Sequence, residues 1–363
     1  MKRPAGIAAG MCAIALFATA CSGGESGGKP AAEEAPQKDV VQARPIKVDG
    51  AQQKITWTDL KKESHLLEAA PSELARGSAA DLKDVRLDGD LKKMVPYYLT
   101  VSFVNKGEKT LERPSPERDF ALAGADGQAG KRITVFGTSL SGKSGLPEAC
   151  AKSGPEELKP GGKATACSIV MMPKDREPVV VSYTGTDGEG RQTAPVIWKA
   201  GKGEGEPPSG VLPFGKAGQT EVEDADGRTV KVRATPKSVR SGSLSDLSSF
   251  KLRGEQKKSV PYYVTFEYRN DGAHKLLPQL NQQIELRAVS GRPAQHLTLI
   301  DLSGRAFAPC PKAKPDGFLK PKGSVTECSV FLVPKGDSPI AVAFTPKDGG
   351  AETLTWQAPK SAR

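Results

Sequence analysis

The sequence predicts an all-β chain organised as two tandem antiparallel sandwich domains. Two observations carry this expectation. Short apolar runs alternate with period two: in YYVTFEY, Tyr262, Val264, Phe266 and Tyr268 fall on one face, and Tyr263, Thr265 and Glu267 on the other. The chain also repeats itself. Val95-Pro96-Tyr97-Tyr98 returns as Val260-Pro261-Tyr262-Tyr263, GSAADL (77–82) as GSLSDL (242–247), and LKPGGKATACSIVMMPK (158–174) as LKPKGSVTECSVFLVPK (319–335). The offset drifts from 165 through 161 to 158 at Trp198 and Trp356, as loop deletions between fixed strands produce. Units of this length are whole domains rather than solenoid repeats.

The chain opens with Lys2 and Arg3, an apolar stretch from Ile7 to Phe17, the small residues Ala18-Thr19-Ala20, and then Cys21. The apolar stretch is too short to span a membrane and reads as a secretory signal over 1–20. A cysteine placed directly after the small-residue site resembles the lipobox of bacterial lipoproteins, although Ala18 stands where that family usually has leucine. The resemblance implies that Cys21 takes a diacylglyceryl group and becomes the mature N-terminus. Two acyl chains suffice for stable anchoring. Residues 21–44, in which Ser22-Gly23-Gly24 follows Cys21, then read as a flexible tether holding the protein at the outer side of the cell membrane.

The first domain is expected over 45–198, a linker rich in glycine, proline and charge over 199–210, the second domain over 211–358, and a tail over 359–363. In the first copy, Tyr97, Leu99, Val101 and Phe103 take the inward positions of the central strand. In the second, TVKVRAT, QIELRAV, HLTLID, SVTECSVFLV, IAVAFT and TLTW read as further strands, separated by turn signals such as Asp226-Gly227 and Asn270-Asp271-Gly272. GSLSDLSS and PSELARG are each expected to hold a turn or two of helix. The run LPFGKAGQTEVEDADGRTVKVRATP, followed by PYYVTFEYRNDGAHKL, resembles the extracellular immunoglobulin-like domain of actinobacterial surface lipoproteins. The resemblance covers the second unit throughout and the later half of the first. It implies an immunoglobulin-like fold and a surface location, and it transfers no functional residues.

Of six cysteines, Cys12 leaves with the signal and Cys21 is lipidated. Cys150, Cys167, Cys310 and Cys328 remain, an even number in an oxidising compartment. Zinc ligation competes with disulfide formation, but no C-x-x-C occurs and the three histidines, His65, His274 and His296, lie far apart in sequence. The repeat selects one of the three possible connectivities: Cys150 with Cys167 and Cys310 with Cys328, each tying a loop to a matching strand. Each bond stabilises its domain by about 3 kcal/mol in the chain-entropy model.

Residues 137–144 spell the phosphate-loop pattern G-x-x-x-x-G-K-S. A working loop must run into a helix whose N-terminus faces the phosphates. Here Gly145, Pro147, Gly154 and Pro155 break that helix, and the second copy has no such motif. No nucleotide binding is expected. Nor does the chain hold a G-x-S-x-G elbow, and EDADGRT around Asp224 and Asp226 lacks the spacing and closing glutamate of a calcium loop. A non-enzymatic protein without cofactor or metal is expected, with the histidines at the surface.

The formal charge is +10, falling to +8 when Lys2 and Arg3 leave with the signal. Lysine runs KKESH, LKK, EQKK and PKAK lie in turns and alternate with acids, as a solvated surface requires. A charge of this sign also suits contact with anionic envelope polymers or lipid headgroups. A continuous basic stripe for nucleic acid is missing. Tyr98 and Tyr263 point away from the apolar face, where an amphipathic ring serves either a sheet surface or an interface. The function expected is therefore a lipid-anchored surface protein that binds or scaffolds an envelope polymer or protein partner. The alternative is a solute-binding lipoprotein of a transporter, which would have two lobes of alternating strands and helices.

Overall fold

The computed structural model describes residues 44–83, 85–134, 150, 154–187, 189, 192–202, 208–277, 279–298, 307–311, 313, 317–347 and 351–362. In the first repeat the strands are β1 (Arg44–Ile46), β2 (Gln53–Thr58), β3 (Ser64–Arg76), β4 (Met94–Asn105), β5 (Leu111–Glu112) and β6 (Phe120–Ala123). They continue with β7 (Lys131–Ile133), β8 (Glu157–Leu158), β9 (Lys163–Pro173), β10 (Val180–Tyr183) and β11 (Val196–Lys199). The second repeat holds β12 (Val211–Leu212), β13 (Gly218–Glu223), β14 (Thr229–Ser241), β15 (Ser259–Asn270) and β16 (Ile284–Ala288). It closes with β17 (Gln295–Leu297), β18 (Ser324–Pro334), β19 (Pro339–Phe344) and β20 (Leu354–Gln357). No helix among the described residues is long and apolar enough to cross a membrane.

Each repeat is a two-layer β-sandwich. In the second, a sheet of order β13-β14-β15-β18-β17 faces one of order β12-β20-β19-β16. In the first, β1-β3-β4-β9-β7, with β2 also on β3, faces β11-β10-β6. The ladders are antiparallel except β12 with β20. Period-two alternation explains the layers: Leu99, Val101 and Phe103 of β4 pack on Leu122, Val181 and Trp198 from the opposite sheet. Val264, Phe266 and Tyr268 of β15 do the same against Leu286, Val342, Phe344 and Trp356.

Three devices recur at matching positions. Trp198 and Trp356 lie fully buried, and their indole N–H groups donate to the carbonyls of Ala51 and Lys216, each at 2.7 Å. Asn105 ends β4 with its amide donating to the carbonyls of Lys109 and Leu158, while its oxygen accepts the N–H of Gly107. Asn270 does the same with His274, Leu319 and Gly272. Buried amides of this kind are retained when every donor and acceptor is met. Finally, β3 and β14 each carry a bulge beside a proline, at Pro71/Glu73 and Pro236/Ser238, where the missing proline N–H costs no ladder bond.

Several boundaries differ from the sequence reading. PSELARG is not helical: all of it but Gly77 lies within β3, paired to both β1 and β4, because Leu74 and Ala75 are buried in the sheet and tertiary pairing outweighs helix propensity. GSLSDLSS holds one 3-10 turn, Leu244–Leu247. The ladder runs past 198 through Lys199, and the buried Ala200 bridges Val48. At the other end, Ala362 packs into the second core rather than trailing from it.

Residues 41–363 form one compact body. Two glycine hairpins join the repeats. Gly127, at φ 67°, sits so close to Ile340 that a Cβ would lie 2.5 Å from its Cγ2. Gly291, at φ 84°, would place a Cβ 2.8 Å from that of Ala123. Only glycine meets both the backbone angle and the space. Beside them the fully buried Asp126 carboxylate accepts from Arg176 of its own repeat at 2.8 Å and from Arg287 of the other at 3.5 Å. The Ser182 hydroxyl donates to the Ser290 carbonyl at 2.7 Å.

Candidate functional site

The disulfides lie one in each repeat: Cys150 is bonded to Cys167 and Cys310 to Cys328, with Cα–Cα distances of 4.9 and 5.4 Å. Cys167 pairs with Thr100, and Cys328 with Thr265, on the central strands. Cys21 and the phosphate-loop pattern at 137–144 fall outside the described residues.

Tyr98 and Tyr263 are not surface groups. They are 3 % and 2 % exposed, and each hydroxyl donates to an aspartate in the 3-10 turn upstream, Asp81 at 2.9 Å and Asp246 at 3.0 Å. Each aspartate also accepts the N–H of the serine before its turn, Ser78 or Ser243. Gly77 and Gly242 lie against the rings so closely that a Cβ would come within 2.4 and 2.3 Å of them. The repeated GS-x-x-DL motif is thus a lid locked onto the tyrosine, and the second side of the sheet is covered there.

The histidines divide. His274 is exposed, whereas His296 is half-buried against Phe331, and burial pushes its imidazole below the ordinary value. His65, expected at the surface, packs on Trp57 with ring centroids 5.5 Å apart and bonds Asp59 at 3.1 Å. Asp59, Glu63 and His65 bring potential ligand atoms within 4.8 Å of one another, beside a hollow of about 560 Å³. The trio is explained by the turn. Asp59 Oδ1 accepts the N–H of Glu63 and closes the β2–β3 hairpin, as Asp224 accepts those of Asp226 and Arg228 at the β13–β14 hairpin. Burial raises the Asp59 carboxyl, but the bonds from His65 and Glu63 outweigh it and hold it below the usual carboxylate range. Glu63 is engaged by Lys109 at 3.0 Å.

A larger cavity, about 730 Å³, opens where the two repeats meet. One wall comes from Gln192, Thr193 and Ala194 of the first repeat. The second repeat supplies the cations. Lys257 and Lys258 lie on the 3-10 turn Gly254–Lys258 before β15, and Lys335 follows β18, its N–H donating to the Lys258 carbonyl at 3.3 Å. Arg292, from the turn leading to β17, donates to the Gln192 side chain across the junction. Burial works against its charge, and the carboxylates of Asp119 and Asp337 favour it. Four cations thus face two carboxylates, Asp187 and Glu255, and Lys258 pairs with Glu255 at 3.1 Å. Domain junctions with a few convergent polar groups are common ligand sites.

From the sequence, EQKK read as a solvated turn, and the positive charge was assigned to no particular place. Nothing in the sequence placed 192–194 opposite EQKK, because that approach depends on the glycine hairpins. No protein-family model, curated protein or solved structure matches the chain.

Proposed function

We propose that the protein is a lipid-anchored, non-enzymatic bacterial surface protein of the actinobacterial lipoprotein type, in which two sandwich domains bind or scaffold a partner in the envelope. The carrying observation is Cys21, placed directly after Ala18-Thr19-Ala20 at the end of a short apolar stretch. Two features support the reading. Each repeat holds a disulfide, a bond at home in an oxidising compartment. The two sandwiches are also not the alternating α/β lobes of the transporter reading.

Membrane fractionation of Cys21→Ala tests the proposal. The variant is expected to leave the membrane fraction or to accumulate unprocessed. Normal processing with membrane retention would overturn the anchor.

A further inference from the structure

We propose that the cavity between the repeats binds a segment of a hydroxylated polymer bearing phosphate groups. This names the partner class of the surface protein above and rests on that reading for its cellular setting alone.

The first observation is the lysine cluster itself. Lys257, Lys258 and Lys335 meet because β15 and β18 pair at Ser259 and Pro334, which brings the turn before one strand to the turn after the other. The first repeat builds the same arrangement: Met94 pairs with Pro173, so Lys92 and Lys93 lie beside Lys174. Two repeats that differ at most positions therefore keep the same three lysines. Of the six, Lys258 has a carboxylate partner among the described residues and the other five have none. Elsewhere Lys61, Lys106, Lys109 and Lys237 pair with Glu112, Glu68, Glu63 and Glu267, while other lysines stand singly, so what sets the two clusters apart is that each gathers three lysines at one strand end. A surface designed for solubility alone intersperses its signs.

The cations call for an anionic ligand, and lysine ammonium groups serve phosphate oxygens as point charges. The arginine here has its guanidinium engaged with Gln192. Hydroxyl-bearing units between the phosphates find the side chains of Thr193 and Gln295 and the rings of Pro293 and Pro334 on the walls. A volume of about 730 Å³ admits several such units. The duplicated trio favours a polymer over a single ion, since a repeating ligand that engages both clusters gains from effective concentration.

Calorimetric titration of the full chain with poly(glycerol phosphate) tests the proposal. Polygalacturonate, inorganic phosphate and phosphatidylglycerol vesicles serve as comparison probes. The double variant Lys257→Gln/Lys335→Gln should melt normally and bind the phosphate polymer at least about tenfold more weakly. Its slope of log affinity against log salt should flatten by roughly 0.7 per lysine removed. Lys231→Gln/Lys320→Gln, which removes equal charge near the other end of the same sheet, should bind as the parent does. Equal weakening in both variants, or equal binding of polygalacturonate, would reduce the effect to net charge and overturn the site. Binding to vesicles alone, or equally to inorganic phosphate, would overturn the polymer. Each outcome is independent of Cys21, so a failed anchor and a failed cleft give different results.

Discussion

The Tyr263 hydroxyl donates to Asp246 at 3.0 Å, and in the first repeat Tyr98 makes the same bond to Asp81 at 2.9 Å. In both places a 3-10 turn is held down over the outer face of the central strand. Tyr263→Phe removes a hydrogen bond to a charged group and should cost about 2 kcal/mol. Asp246→Ala should cost more, about 3 kcal/mol, since it also frees the Ser243 N–H and leaves a buried hydroxyl unmet. Urea denaturation of the two variants measures the difference, and equal losses would mean that the turn does not depend on the carboxylate.

The same tyrosines give the protein an alkaline limit. Burial raises the hydroxyls of Tyr98, Tyr183, Tyr263 and Tyr268 above their ordinary value, with nearby carboxylates adding to the shift. A phenol raised in the folded state contributes stability that is complete below its unfolded value of about 10 and is lost as pH climbs toward the folded one. Melting temperature should therefore hold from neutrality to about pH 9 as far as these groups are concerned, and fall steeply above pH 10. Phenolate absorbance should rise together with unfolding; phenolate formation in a chain that stays folded would contradict the burial.

Much of this architecture was legible in the chain. The alternation of YYVTFEY and the offset repeat gave two sandwiches, and the matching cysteine strands gave the pairing. PSELARG misled because its helix-favouring residues sit in a strand pinned on both sides. The tyrosine lid was hidden for another reason: GSAADL and GSLSDL repeat visibly, but which face they cover depends on a contact 17 residues away. The cavity between the repeats was out of reach, because its walls come from segments with no sequence relation to each other.

The junction itself is open to test. Asp126→Ala leaves Arg176 and Arg287 without their shared buried carboxylate and should cost about 3–5 kcal/mol, as breaking buried pairs does. The parent should unfold in one calorimetric transition with the repeats coupled, and the variant in two. A single transition of unchanged midpoint in Asp126→Ala would show that the repeats are not held together by this group.

Reduction should weaken each repeat separately. Replacing both Cys310 and Cys328 by alanine should cost about 3 kcal/mol in the second repeat and leave the Cys150–Cys167 bond intact. Non-reducing peptide mapping of the parent checks the pairing, and any peptide joining the two repeats would refute it.

The proposed anchor is tested most directly by the mass of the N-terminal peptide of the mature protein, isolated from membranes. The account predicts a peptide that begins at Cys21 and carries a diacylglyceryl group on its thiol. A mature chain beginning elsewhere, or beginning at Cys21 with a free thiol, would contradict it.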